Sequence, residues 1–126
     1  VIMSSVTGDM VADPGEAAYA MSKAALVGLT KALAREFAPY VNVNAICPGY
    51  VLTPMVQGMA RQSCPENPQS VVDGIAASIP LGRLADPMEV GELAAFLASG
   101  ESSYLTGAQF VIDGGSTLPE TSTMGV

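Results

Sequence analysis

The segment "YAMSK" places the phenol of Tyr19 and the ammonium group of Lys23 four positions apart in a chain of 126 residues. On a helix that spacing puts both groups on one face, where they can address the same ligand. A tyrosine beside a lysine can give and take a proton. To do so near neutral pH the phenol pKa must come down from about 10 to near 7, a preference of about 4 kcal/mol for the phenolate. An ammonium group about 4 Å away contributes about 1 kcal/mol in water and about 4 kcal/mol at an effective dielectric of 20. The pair therefore does acid–base work only where water is partly excluded. Left in solvent, it is an ordinary polar helix face.

Two other segments bear on that choice. Ser5 ends the apolar run "VIMSS", and open α/β sheets bind ligands at the carboxyl ends of their strands. The same hydroxyl could also simply satisfy the end of a strand. Further on, "CPGYVLTP" carries Pro48 and Gly49, which turn the backbone and let it approach a flat ligand closely, with the Thr53 hydroxyl just beyond. A plain strand-to-helix turn favours Pro-Gly as well. Taken together, Ser5, Tyr19, Lys23 and the Pro48–Thr53 turn are expected to frame one site.

Other chemistries are excluded by residue type. The chain has no histidine, which removes Ser-His-Asp and Cys-His schemes and the commonest metal ligand. Cys47 and Cys64 are too few and too far apart for a disulfide framework or a zinc site, and they fit a reduced, cytoplasmic setting. A formal charge of −7 with five scattered basic residues argues against nucleic acid as a partner. No apolar run is long enough to span a membrane, and the first residues do not resemble a signal peptide. With 49% hydrophobic and 13% charged residues, the chain reads as one globular domain.

The elements that must position these residues can be read in order. "VIMSS" is a buried strand, followed by a loop rich in turn formers. Residues 16 to about 38 form a long helix, with Met21, Ala25, Leu29, Ala32 and Leu33 at helical spacing and Pro39 ending it. "VNVNAI", 41 to 46, is a second strand, stopped by Pro48-Gly49. Residues 53 to 79 read as two short helices around "SCPENPQ", a flap. Asp86, Pro87 and Glu89 spell a capped helix start, and that helix runs to about Ala98. "AQFVI" is a third strand, and from Ser116 a polar, mobile tail is expected. This order predicts an α/β fold with a parallel sheet and right-handed crossovers. Three strands make a thin sheet whose first strand has an unsatisfied edge. Together with a start inside a strand, this points to a missing N-terminal half.

The ordered set "VIMSS", "YAMSK", "VNAICPGYVLTP", "LGRLADPMEVGELAAFLASGESSYLTG" and "VIDGG" resembles the short-chain dehydrogenases/reductases in their single-domain form. The resemblance implies the C-terminal half of a Rossmann-type, doubly wound parallel sheet. It also implies hydride transfer between NAD or NADP and a carbonyl/alcohol pair. By position, Tyr19 matches the catalytic acid/base, Lys23 the residue that lowers its pKa and holds the nicotinamide ribose, and Ser5 the residue that orients the substrate oxygen. Pro48, Gly49, Val51 and Thr53 match the turn that contacts the nicotinamide amide, and residues 54 to about 80 the mobile substrate loop. The long helix resembles one that packs between subunits, which implies a homotetramer or dimer. In two places this chain departs from the family pattern: the Ser5-to-Tyr19 spacing is one residue longer than usual, and Asn42 stands where arginine is common. The glycine-rich phosphate loop, the residue that selects NAD or NADP and a catalytic asparagine all belong upstream of Val1. A truncated, non-catalytic chain is therefore the alternative, and a relative that dehydrates or epimerises through the same Tyr and Lys is a third.

Overall fold

The computed structural model describes residues 1–118. In chain order the elements are β1 (Ile2–Met3), α1 (Ala17–Phe37), β2 (Ala45–Pro48), α2 (Pro54–Ser63), α3 (Pro68–Ser78), α4 (Pro87–Leu97) and β3 (Gln109–Ile112). A single turn of 3-10 helix, Gly100–Ser102, follows α4. The three strands form one parallel sheet in the order β1-β2-β3, with Ile2 opposite Ala45 and Ala45 opposite Gln109. Each parallel pair needs a crossover of a dozen residues or more, and α1 and the segment from α2 through α4 supply them. All three strands thus run the same way, and the loops after β1 and β2 leave from one edge of the sheet. The α/β class expected from the sequence is the observed one.

The middle strand is the centre of the core, with Ala45, Ile46 and Cys47 fully buried. Such a continuous apolar run is what a strand covered on both faces requires. β2 lies further along the chain than the 41–46 expected. The residues before it are held by side chains instead: Asn42 Nδ2 donates to Ser103 C=O (3.0 Å), and Val43 N–H donates to Thr106 Oγ1 (3.0 Å). The buried Asn44 donates to Leu105 C=O (2.8 Å) and accepts from Ala108 N–H (3.1 Å), linking the approaches to β2 and β3. The strand does stop at Pro48-Gly49, with Pro48 as its last residue, paired with Ile112. A proline is tolerated there because its carbonyl still accepts, from Val6 N–H at 3.0 Å.

The long helix turns a different face to the sheet from its most regular apolar stripe. Val27, Thr30 and Ala34 are buried, whereas Met21, Ala25, Leu29 and Ala32 are exposed. Thr30 is tolerated inside because its hydroxyl donates to Leu26 C=O at 2.7 Å. α4 begins as its sequence prescribes: Asp86 accepts from Met88 N–H (2.8 Å) and Glu89 accepts from Asp86 N–H (2.8 Å). Arg83 then clasps Glu89 through both guanidinium nitrogens, at 2.8 and 2.7 Å. That clasp holds the Glu89 carboxyl at about 2, with the Asp86 N–H adding to the effect.

The start of the expected mobile tail is tied down. The Asp113 carboxylate accepts from Gly115 N–H (2.9 Å), Thr117 N–H (2.9 Å) and the hydroxyls of Ser116 (3.2 Å) and Thr117 (2.8 Å). Partial burial pushes this carboxyl up, but the hydrogen bonds outweigh it and leave Asp113 below the usual range. Residues 119–126 of that tail lie outside the described residues. Among the described residues, no helix is long and apolar enough to cross a membrane.

Candidate active site

Ser5 sits just past the end of β1, buried, with its Oγ accepting from Thr7 N–H at 3.1 Å. An acceptor bond leaves the hydroxyl hydrogen free to donate elsewhere. Its neighbour Ser4, also buried, donates to Lys23 C=O at 2.7 Å. Lys23 returns the connection, its Nζ donating to Met3 C=O at 3.3 Å. Two bonds in opposite directions therefore lock the end of β1 to the turn of α1 that carries the tyrosine–lysine pair.

Within that turn, Lys23 Nζ stands 5.6 Å from the centroid of the Tyr19 ring, within reach of a cation–π attraction. Tyr19 itself is 46% exposed, so its phenol is accessible to a ligand. The turn also receives the loop after Ser5. Gly8, at φ +112°, lies so close to α1 that a Cβ would overlap the Ala20 carbonyl oxygen and stand 3.0 Å from Ala24 N. Ala20 and Ala24 are the residues next to Tyr19 and Lys23, so only glycine lets the loop seat on that turn.

The second strand end joins from the side. Val6 N–H donates to Pro48 C=O (3.0 Å), which brings the loop after Ser5 against the Pro48-Gly49 turn. Gly49 packs on the end of β3: its N–H donates to Ile112 C=O (3.0 Å), and a Cβ would stand 2.8 Å from Asp113 Cβ. Beyond it, Leu52 N–H donates to Ala85 C=O (2.9 Å) and Ala85 N–H donates to Tyr50 C=O (3.0 Å). These bonds take the groups on either side of Val51. Among the described residues the Val51 peptide N–H and C=O have no hydrogen-bond partner. Thr53 serves as N-cap of α2, its Oγ1 accepting from Val56 N–H at 3.4 Å.

The seven residues singled out by sequence thus fall at the end of β2, on the loops at that edge of the sheet or on the adjoining turn of α1. Direct bonds connect Lys23 to the end of β1 and the Ser5 loop to Pro48. The structure adds Tyr50, which sequence reasoning passed over. Burial, with the nearby charges of Asp13 and Glu16, pushes its phenol above the ordinary tyrosine range. Its position inside "PGYV", directly after the turn, was the available signal. A cavity of about 70 Å³ lies beside it, lined by Arg83, Ala85, Glu89 and Asp113 among others, and Ser5, Tyr19 and Lys23 take no part in it.

Known proteins similar to this chain are numerous. A family model described as enoyl-(acyl carrier protein) reductase matches residues 1–117. Over its full length the chain is 72% identical to oxidoreductase UcpA of Escherichia coli O157:H7, covering 48% of that protein. It is 41% identical, over 90% of its length, to human (3R)-3-hydroxyacyl-CoA dehydrogenase, of which it covers 40%. Among solved structures, Thermoplasma acidophilum aldohexose dehydrogenase superposes with a TM-score of 0.87 at 35% identity, over 93% of this chain and 47% of that one. A short chain dehydrogenase family protein from Francisella tularensis superposes with a TM-score of 0.86 at 33% identity, over 92% of this chain and 49% of that one. The chain spans about half the length of the curated relatives it matches. With its parallel Rossmann-type sheet and a family match over residues 1–117, the chain belongs to the short-chain dehydrogenase/reductase family.

Proposed function

We propose that these residues are the C-terminal half of an oxidoreductase that transfers a hydride between NAD or NADP and a carbonyl/alcohol pair. The observation that carries this reading is that the end of β1, next to Ser5, is bonded to the turn of α1 that carries Tyr19 and Lys23. The reciprocal Ser4–Lys23 and Lys23–Met3 bonds bring the strand end and the tyrosine–lysine turn together. Bound nicotinamide supplies the hydride. Tyr19 gives a proton to the carbonyl oxygen in reduction and takes it back in oxidation. Ser5 donates a hydrogen bond to the same oxygen, which its acceptor bond from Thr7 leaves it free to do. Lys23 supplies the positive charge that favours the phenolate once the site is closed from water.

The turn after β2 fits the nicotinamide end of such a cofactor. Gly49 leaves no side chain between the turn and Asp113, and the Val51 peptide groups are open for an amide. Tyr19, Lys23, Pro48, Gly49, Val51 and Thr53 would hold that end. Met55 and Met59 on α2 are exposed, which supports a moderately apolar substrate meeting the α2–α3 flap. The exposed stripe Met21, Ala25, Leu29 and Ala32 supports a homo-oligomer, dimer or tetramer. The free thiols of Cys47 and Cys64 agree with a cytoplasmic setting.

The test is turnover by the complete protein. It should consume NADH or NADPH in the presence of small aldehydes and ketones, and Tyr19→Phe should not. Near-normal turnover in that variant would defeat the assignment. A second reading, favoured by the half-length match, is that the 126 residues alone act as a non-catalytic chain. Calorimetry of this chain with NAD and NADP separates the two, since binding should be very weak without a pyrophosphate-binding loop.

A further inference from the structure

The loop after Ser5 is a small closed ring of backbone bonds. Gly8 N–H donates to Val11 C=O (2.7 Å), while Val11 and Met10 N–H both donate to Val6 C=O (3.1 and 3.2 Å). Thr7, which orients the Ser5 hydroxyl, belongs to this ring. One flank of the ring is seated on α1 through Gly8. The other flank is held by a side chain a hundred positions away: Gln109 Nε2 donates to the Asp9 carboxylate at 2.9 Å. Gln109 is the first residue of β3, the strand furthest from β1 in the sheet. A ring fastened only at its ends can rock about them, and contacts on both flanks remove that freedom.

On the reading of Ser5 and Tyr19 given above, which this inference presupposes, we propose that Gln109, acting through Asp9, is a positioning residue. It steadies the ring so that the Ser5 hydroxyl meets the same substrate oxygen as the Tyr19 phenol. The sheet's outer strand thereby contributes to the site without touching any reacting atom. A small displacement of a hydrogen-bonding group near a reacting centre is costly in rate.

In the complete enzyme, Gln109→Ala is expected to lower kcat/KM for benzaldehyde about fivefold, as befits loss of one solvent-exposed hydrogen bond, with cofactor affinity unchanged. Asp9→Leu should reproduce the loss, and Asp9→Asn, which keeps an acceptor for Gln109, should restore it. In a Ser5→Ala background, Gln109→Ala should cost nothing further, because the group it positions is gone. Amide hydrogen exchange over residues 6–11 should accelerate in Gln109→Ala and stay unchanged elsewhere. An equal loss in both backgrounds, or unaltered exchange, overturns the inference while leaving the proposed function standing. If the unsubstituted enzyme turns over no aldehyde or ketone with either nicotinamide, the proposed function falls and this role falls with it.

Discussion

At the start of α4, Arg83, Asp86 and Glu89 bond to one another and to adjoining backbone, no more than six positions apart. One turn of α1 is organised differently. Tyr19 is half exposed, Lys23 and Ser4 reach across to another element 20 and 19 positions away, and Ser5 keeps a donor in reserve. The first region spends its polar groups on itself and stabilises the fold. The second leaves groups available and draws its order from long-range contacts, which is the arrangement expected where a ligand must complete the bonding.

The contrast can be broken from either side. The largest effect should come from Tyr19→Phe in the complete protein, where turnover drops about a thousandfold, as for loss of a general acid, with little change in the melting temperature. Steady-state kinetics beside a thermal melt checks both halves of that statement. Gly49→Ala sits between the regions and should disturb both. Its Cβ would stand 2.8 Å from Asp113 Cβ and 3.0 Å from Asp113 Cα, an overpacking of about 2 kcal/mol in urea unfolding, with weaker nicotinamide binding beside it. Asp86→Ala should do the reverse of the tyrosine change, costing about 1 kcal/mol of stability through a lost N-cap and leaving turnover intact. A large loss of activity in that variant would erase the distinction between the regions.

The smallest effect concerns pH. Glu89 is held at about 2 when folded, below its ordinary value, so its bonds stabilise the fold fully above the usual glutamate range. That contribution is lost as pH falls toward about 2. Stability curves of the parent and of Glu89→Gln should therefore be separated at neutral pH and converge on acidification. A gap that stays constant down to the acid end would show that the charge is not what matters.

The same contrast explains what was legible in the sequence. The α4 cap was readable because Asp86, Pro87 and Glu89 are adjacent and their geometry is local. Tyr19 and Lys23 were readable because i and i+4 fix a shared face before any tertiary contact exists. The start of β2 was not, since Asn42, Val43 and Asn44 are fixed by partners from 103 to 108 that no local pattern announces. The buried face of α1 was equally hidden. With Ala and Leu on most sides, the helix offers several stripes, and the sheet took the one through Val27, Thr30 and Ala34. The tie from Gln109 to Asp9 depends on the finished sheet and had no sequence signal, whereas the Asp113 cradle closes within four positions and was open to a local reading that was not made.

Asn44 has one more consequence, for how the sheet checks its own assembly. β2 and β3 are parallel and carry apolar side chains on both faces, so a one-residue slip exchanges one apolar face for another and the hydrophobic pattern alone opposes it weakly. The carboxamide supplies the missing index mark, because Leu105 C=O and Ala108 N–H meet it only when Gln109 stands opposite Ala45. A slip of one residue would leave a fully buried amide without partners, a penalty of about 1–3 kcal/mol for each unmade bond. One buried polar side chain thus acts as an error check on the alignment, and the same alignment delivers Gly49 to Asp113 and Gln109 to Asp9.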